Sequence, residues 1–223
     1  MMLKEKIPGK RGTPLRKNGS LELKLSNNHT THKDIFVING KKFITEKLSS
    51  SELIIKPNDC YMLINNGNET LDINYNLDVS NHEIIYEPYK FETLEKKNYT
   101  PEDLKKIYKV PDDYIDTLPK WYSFKFTYKN YNIIFVRPQL GISIQIHKHR
   151  NEFWEILAGK PIIINGNTVH YFVENNVKFE IPINTLHSVI NPNVDNFVIL
   201  KEQWSGYFDE EDIKRVFNPN NYI

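Results

Sequence analysis

From Ile142 to His149 the chain alternates strictly, with Ile142, Ile144, Ile146 and Lys148 interleaved with Ser143, Gln145, His147 and His149. A period of two is the signature of a β-strand, whose successive side chains point to opposite faces. The isoleucines therefore share one face, and Gln145, His147 and His149 share the other. Glu152 follows three residues after the last histidine. Imidazoles, a carboxamide and a carboxylate converging on one face form a ligand set for a divalent metal. The opposing possibility, an edge strand with solvent-facing histidines, would hold if the pair stood alone.

It does not stand alone. Glu152-x6-Gly159 follows directly, and Pro182-x-Asn184-x2-His187-x3-Asn191 comes later. Around these motifs, short apolar runs alternate with Asn, Gly and Pro turns: WYSFKFTY, YNIIFVR, EFWEILAG, PIIING, TVHYFV, VKFEIPI, HSVIN and FVILKEQW. Such spacing predicts an antiparallel sandwich or barrel over residues 121–223. The acidic start and basic continuation of GYFDEEDIKRVF predict a short terminal helix.

Upstream, residues 21–76 read as further short strands separated by Asn39-Gly40, Pro57-Asn58-Asp59 and Asn66-Gly67. Residues 1–19, basic and rich in Pro and Gly, read as an arm or loop. Their PGKRGTPLRK is only superficially like a phosphate loop, because no strand precedes it and no helix follows. His29 and His32 sit in a polar loop, and His82 reads as a surface residue. Between the halves, Thr100-Pro101-Glu102-Asp103 supplies an N-cap, a first-turn proline and two acids. This predicts a helix, with a second short one over DDYIDTL before Pro119. The expected organisation is a β-rich region 1–97, a helical connector 98–120 and a β domain 121–223.

Charge and cysteine content narrow the function. With 29 Lys+Arg against 28 Asp+Glu, a general nucleic-acid or membrane-surface binder is not expected. The lone Cys60 excludes an intrachain disulfide framework and a thiolate zinc cluster. Together with the lack of a signal-like apolar run, it points to the cytoplasm.

The two motifs resemble those of the cupin superfamily of antiparallel jelly-roll barrels. Asn184 and Asn176 stand where that family usually has glycine, and Asn tolerates the left-handed turn. The likeness narrows further. ISIQIHKHRNEFW at 142–154 and QWSGYFDEEDIKR at 203–215 are similar to the signature of the type II mannose-6-phosphate isomerase domain. Lys148 and Phe153 replace histidines common there. Asn221-Tyr222-Ile223 stands where the family usually finishes with a further glycine and arginine.

The resemblance implies an all-β, cupin-type fold for the C-terminal half, preceded by a β-rich half that echoes a worn cupin suited to packing or homodimer contact. Family spacing between second ligand and glutamate favours Gln145, His147, Glu152 and His187 as metal ligands, with His149 in reserve. It implies zinc first, with iron, manganese, cobalt or nickel as alternatives. The implied activity is aldose–ketose isomerisation of a phosphosugar, foremost mannose 6-phosphate to fructose 6-phosphate, in nucleotide-sugar or glycan precursor supply. His149 and Glu202 are the candidate proton carriers, joined by Arg215 as a catalytic candidate. Arg150 and Arg215 are the candidate phosphate-binding cations, since guanidinium grips phosphate in bidentate fashion. His170 is expected to pack or face solvent. The alternatives are a non-catalytic sugar-binding cupin, a nucleotide-sugar modifying enzyme or an iron-dependent oxygenase.

Overall fold

Short β-branched and aromatic runs separated by turn residues leave little room for helix. In the computed structural model, which describes residues 2–27, 35–44, 53–207 and 212–220, the one helix among those residues is α1 (Pro101–Lys105). Among these residues the fold is all-β, and it divides into two compact units: residues 1–88 with 167–169, and residues 89–166 with 170–223. No helix among the described residues is long and apolar enough to cross a membrane.

The first unit contains β1 (Lys4–Ile7), β2 (Arg11–Gly12), β3 (Leu15–Lys17), β4 (Leu23–Asn27), β5 (Ile35–Asn39), β6 (Lys42–Ile44), β7 (Leu53–Ile55), β8 (Cys60–Asn65), β9 (Leu71–Tyr75) and β10 (Glu83–Tyr86). One sheet runs β1-β9-β4-β7, and β10-β3-β8-β5-β6 form a second series with β2 on β8. Alternation along LDINY buries Leu71, Ile73 and Tyr75 against Leu23, Leu25, Val37 and Leu63.

Residues 1–19 are not a loose arm. Three strands form there, because Ile7 and Leu15 are buried and β1 and β3 pair with β9 and β8. Arg16 closes the arrangement with a two-pronged ion pair to Glu5 at 3.0 and 2.9 Å. PGKRG is a tight connection between β1 and β2 in which Lys10 takes a φ of 63°. His82 meets the Tyr61 hydroxyl at 2.8 Å. His29 and His32 lie outside the described residues.

The chain continues with β11 (Asp116–Lys120), β12 (Ser123–Thr127), β13 (Asn132–Val136), β14 (Ile144–His147), β15 (Arg150–Ala158), β16 (Ile162–Asn165), β17 (Thr168–His170), β18 (Lys178–Ile181), β19 (His187–Ile190), β20 (Val198–Gly206) and β21 (Ile213–Phe217). The second unit has a six-stranded antiparallel sheet, β11-β12-β13-β20-β15-β18, and a series β16-β19-β14-β21. Trp154, Ile156, Ile163, Val189, Val198 and Leu200 come from both sheets and form one core cluster. The other face of the six-stranded sheet carries Phe124, Phe126, Phe135 and Ile199, covered by Leu104 and Val110.

The helix start at Thr100 is a capping box: the Asp103 amide donates to the Thr100 hydroxyl, and the Thr100 amide donates to the Asp103 carboxylate. Two expected helices are strands instead. The end of DDYIDTL enters β11, an edge strand where Pro119 costs no ladder hydrogen bond. Part of the acidic–basic terminal run forms β21, which pairs with β14 along an edge that would otherwise be unsatisfied. In both places pairing with a neighbouring strand overrides a local helix signal.

Candidate metal centre and cleft

Strand parity determines which side chains meet. On β15, Arg150, Glu152, Trp154 and Ile156 point inward and are buried, while Phe153 is exposed. On β20, Leu200 lies in the inner core and Ile199 on the opposite face, so Glu202 also points inward. Gln145 of β14 stands opposite His187 of β19. His147 is the last residue of β14, and its side chain is buried.

His147, Glu152 and His187 come together with ligand atoms all within 4.8 Å of one another. His147 Nε2 is 2.9 Å from Glu152 Oε1, and His187 Nε2 is 3.5 Å from Glu152 Oε2. All three are at most 2 % exposed, so bulk water is excluded. Trp154 Nε1 donates to Glu152 Oε2 at 3.2 Å, and its ring packs edge-on to His187. Arg150 Nε donates to Glu152 Oε1 at 2.9 Å, and its Nη2 lies 3.1 Å from His147 Nε2.

Protonation suits these groups to a cation. Burial pushes His187 down to about 4, so the ring is neutral near pH 7. Its Nδ1 lies 2.8 Å from the Thr185 carbonyl, which can only accept, so Nδ1 carries the proton and Nε2 offers a lone pair. Burial alone would raise Glu152, but the hydrogen bond with His147 and the surrounding positive charge hold it well below the usual carboxylate range. The buried Nδ1 of His147 has no hydrogen-bond partner. Two imidazoles and an ionised carboxylate converging in a dry site fit a divalent metal.

The other predicted residues are placed as follows. The Gln145 amide nitrogen lies 3.4 Å from His187 Nε2, while its oxygen accepts from the Ser143 hydroxyl at 2.9 Å. Gln145 therefore reaches the cluster, with its nitrogen and not its oxygen turned inward. His149 does not reach it. The strand ends at His147 and the chain turns, leaving the His149 side chain 64 % exposed, 3.9 Å from Asp212. Arg150 is 3 % exposed and engaged with Glu152 and His147, in contrast to a cation at a phosphate-binding rim. Arg215 is exposed and borders the adjoining cleft, and the His170 ring packs on Phe179.

That cleft is bordered by Lys120, Lys125, Gln145, Arg150, Glu202 and Arg215, among others, and encloses roughly 630 Å³ including its open mouth. Glu202 is the acid of interest. Burial, with the negative charge of Glu152 adding to it, pushes its carboxyl up to about 7. Asn132, directly opposite on β13, donates to Glu202 Oε2 at 2.6 Å. Sequence reading missed Asn132, Trp154, Lys120, Lys125 and Asp212. Two of these had a legible signal: Trp154 shares the strand parity of Glu152, and in SFKFT the phenylalanines alternate with Lys125, so it must face away from their core.

The two signature segments meet in space. The Asp212 carboxylate accepts the Lys148 and His149 amides at 3.0–3.2 Å, clasping the β14–β15 turn. Gly206 faces Arg150 with a φ of 101°, and a Cβ there would lie 2.5 Å from the His149 carbonyl. The two asparagines at glycine positions also take left-handed backbone, Asn176 at φ 66° and Asn184 at φ 58°. Asn184→Gly is therefore expected to preserve stability, whereas Asn184→Val should cost about 1–2 kcal/mol in urea unfolding, because a β-branched residue resists positive φ.

Residues 118–218 match the family model described as mannose-6-phosphate isomerase C-terminal. A mannose-1-phosphate guanylyltransferase of Klebsiella pneumoniae is 38 % identical over 88 residues, covering 39 % of this chain and 18 % of that protein. The alginate biosynthesis protein AlgA of Pseudomonas putida is 33 % identical over 82 residues, covering 37 % and 17 %. The chain thus spans under a fifth of the length of these curated relatives. Among solved structures, the capsular polysaccharide assembling protein CapF of Staphylococcus aureus aligns at a TM-score of 0.37 and 17 % identity, covering 43 % of this chain and 30 % of that one. A cupin-2 domain of Rhodospirillum rubrum aligns at 0.36 and 16 %, covering 49 % and 72 %.

Proposed function

We propose, from a segment 118–218 that carries the mannose-6-phosphate isomerase C-terminal domain, that the protein is a metal-dependent aldose–ketose isomerase of a phosphosugar, foremost mannose 6-phosphate. The observation that carries this reading is the buried His147–Glu152–His187 cluster beside a buried acid, Glu202, that titrates near neutrality. His147, Glu152 and His187 would hold the metal, zinc first, with the Gln145 carboxamide rotated to present its oxygen. When bound, the ion supplies an electrophile for the two neighbouring sugar oxygens as negative charge develops on them.

The chain's own groups do the rest. Glu202 takes the proton from C2 of the aldose and returns it to C1. The O2 hydroxyl proton passes to O1, so the C1–O double bond opens as the C2–O double bond forms. A pKa near 7 suits it to both directions at neutral pH. Asn132 orients its carboxyl group. Trp154 and Arg150 fix Glu152 from two sides, so the carboxylate does not swing away. His149, exposed on its turn, is set aside as the base.

The test is conversion of mannose 6-phosphate to fructose 6-phosphate after loading with zinc, iron, manganese, cobalt or nickel in turn. His187→Ala should lose both bound metal and turnover. Metal-loaded protein that converts no hexose or pentose phosphate would remove the isomerase reading.

A further inference from the structure

A permanent cation lies against the ligand atoms of the proposed metal centre. On β15, Arg150 shares the inward parity of Glu152, two residues on. Its Nε donates to Glu152 Oε1 at 2.9 Å, and its Nη2 lies 3.1 Å from His147 Nε2. Those two atoms are themselves 2.9 Å apart, so one guanidinium spans both. Arg150 is 3 % exposed, and arginine keeps its proton even when buried. Its Nη1 lies 4.0 Å from Asp212 Oδ2, so a second carboxylate is near. The two ligands differ in what they can share. A carboxylate oxygen has lone pairs for an arginine N–H and a metal together, whereas a ring nitrogen has a single site. At His147 Nε2 the guanidinium and a metal therefore exclude each other. A divalent ion would also meet a fixed positive charge in a site closed to bulk water, where repulsion is weakly screened.

We infer that Arg150 is a resident cation of this centre: it holds His147 and Glu152 in their converged arrangement before a metal arrives, and yields His147 Nε2 when one binds. The inference rests on the metal-centre part of the isomerase reading. It gives Arg150 two opposed effects. The guanidinium balances the buried charge of Glu152, so the cluster forms without an ion. The same charge then opposes the ion, so the metal is held less tightly than these three ligands alone would hold it, and it exchanges. A residue that only buttressed Glu152 would act in the other direction, since losing such a support lowers metal affinity by about 10- to 100-fold. The sign of the change on removing Arg150 decides between the two roles.

The experiment is a zinc titration of the full chain against a competing chelator, for wild type, Arg150→Met and Arg150→Lys. Arg150→Met should bind zinc at least about tenfold more tightly than wild type, because the opposing charge is gone. Arg150→Lys keeps the charge and should gain much less. In excess chelator Arg150→Met should unfold at lower urea than wild type, and saturating zinc should close that gap. Arginine side-chain nitrogen-15 spectra of the wild type read the same event without a substitution. One equivalent of zinc should shift the Arg150 signals and leave those of Arg16, paired with Glu5, in place. Zinc affinity that is unchanged or weaker in Arg150→Met, or an arginine spectrum untouched by zinc, would overturn the inference. So would equal zinc binding by His187→Ala, which would place the ion elsewhere. If Arg150→Met binds zinc more tightly while zinc-loaded wild type converts no phosphosugar, the resident cation stands and the isomerase reading falls. If wild type isomerises and Arg150→Met binds zinc more weakly, the reverse holds.

Discussion

Replacing Glu152 by alanine is expected to abolish retention of divalent metal and to lower the unfolding free energy by about 3–5 kcal/mol. Both losses follow from one carboxylate serving four neighbours. It accepts from Arg150 Nε and Trp154 Nε1, lies 2.9 Å from His147 Nε2 and faces His187. Removing it leaves the Arg150 guanidinium, 3 % exposed, without its nearest counter-charge. Glu152→Gln separates the two effects. The amide oxygen can still accept from Trp154, so much of the fold energy should persist, while the lost negative charge should still weaken metal binding. Metal content after dialysis, with urea unfolding in the presence of a chelator, reads each effect alone. Metal retention at the wild-type level in Glu152→Gln would remove this cluster as the metal centre.

How much of this was legible in the sequence depends on the range of the interaction. The alternation at 142–147 is local, and it put Gln145 and His147 on one strand face before any fold was known. Glu152 and Trp154 share a parity on β15 in the same way. The end of β14 was not legible, because the turn after His147 is held by Asp212, more than 60 residues away. His149 therefore continues the written pattern but not the strand. The helix signals over the approach to β11 and over β21 failed for a related reason: each segment satisfies its backbone on a neighbouring strand. The strands within residues 1–19 were hidden by prolines, glycines and charge, although Arg16 spends that charge inside, on Glu5. Asn176 and Asn184 show the opposite case. Positive φ is a demand of the backbone, and a residue tolerant of it could be read in glycine's place.

Glu202→Gln is expected to lower isomerase kcat by about 10²- to 10⁴-fold, the usual worth of a general acid–base, with metal content unchanged. The same substitution should alter the pH dependence of stability in a direction fixed by the raised pKa. In the folded protein the carboxyl titrates at about 7, chiefly because burial opposes its charged form. The unfolded chain loses that proton near pH 4.5. Between those values the folded state binds more protons than the unfolded one, so stability falls as pH rises through this window. A separation of about 2.5 pH units corresponds to about 3 kcal/mol, fully present below pH 4.5 and gone above pH 7. Glutamine cannot ionise and so escapes the loss. Asn132 can serve either state, donating its amide to a carboxylate or, rotated, accepting from the protonated acid through an oxygen that is buried without a partner. In chelator, wild-type unfolding midpoints in urea should therefore fall from pH 5 to pH 8 by more than those of Glu202→Gln. Parallel pH profiles for the two proteins would mean that Glu202 does not hold its proton into the neutral range, and would remove it as the carrier between C1 and C2.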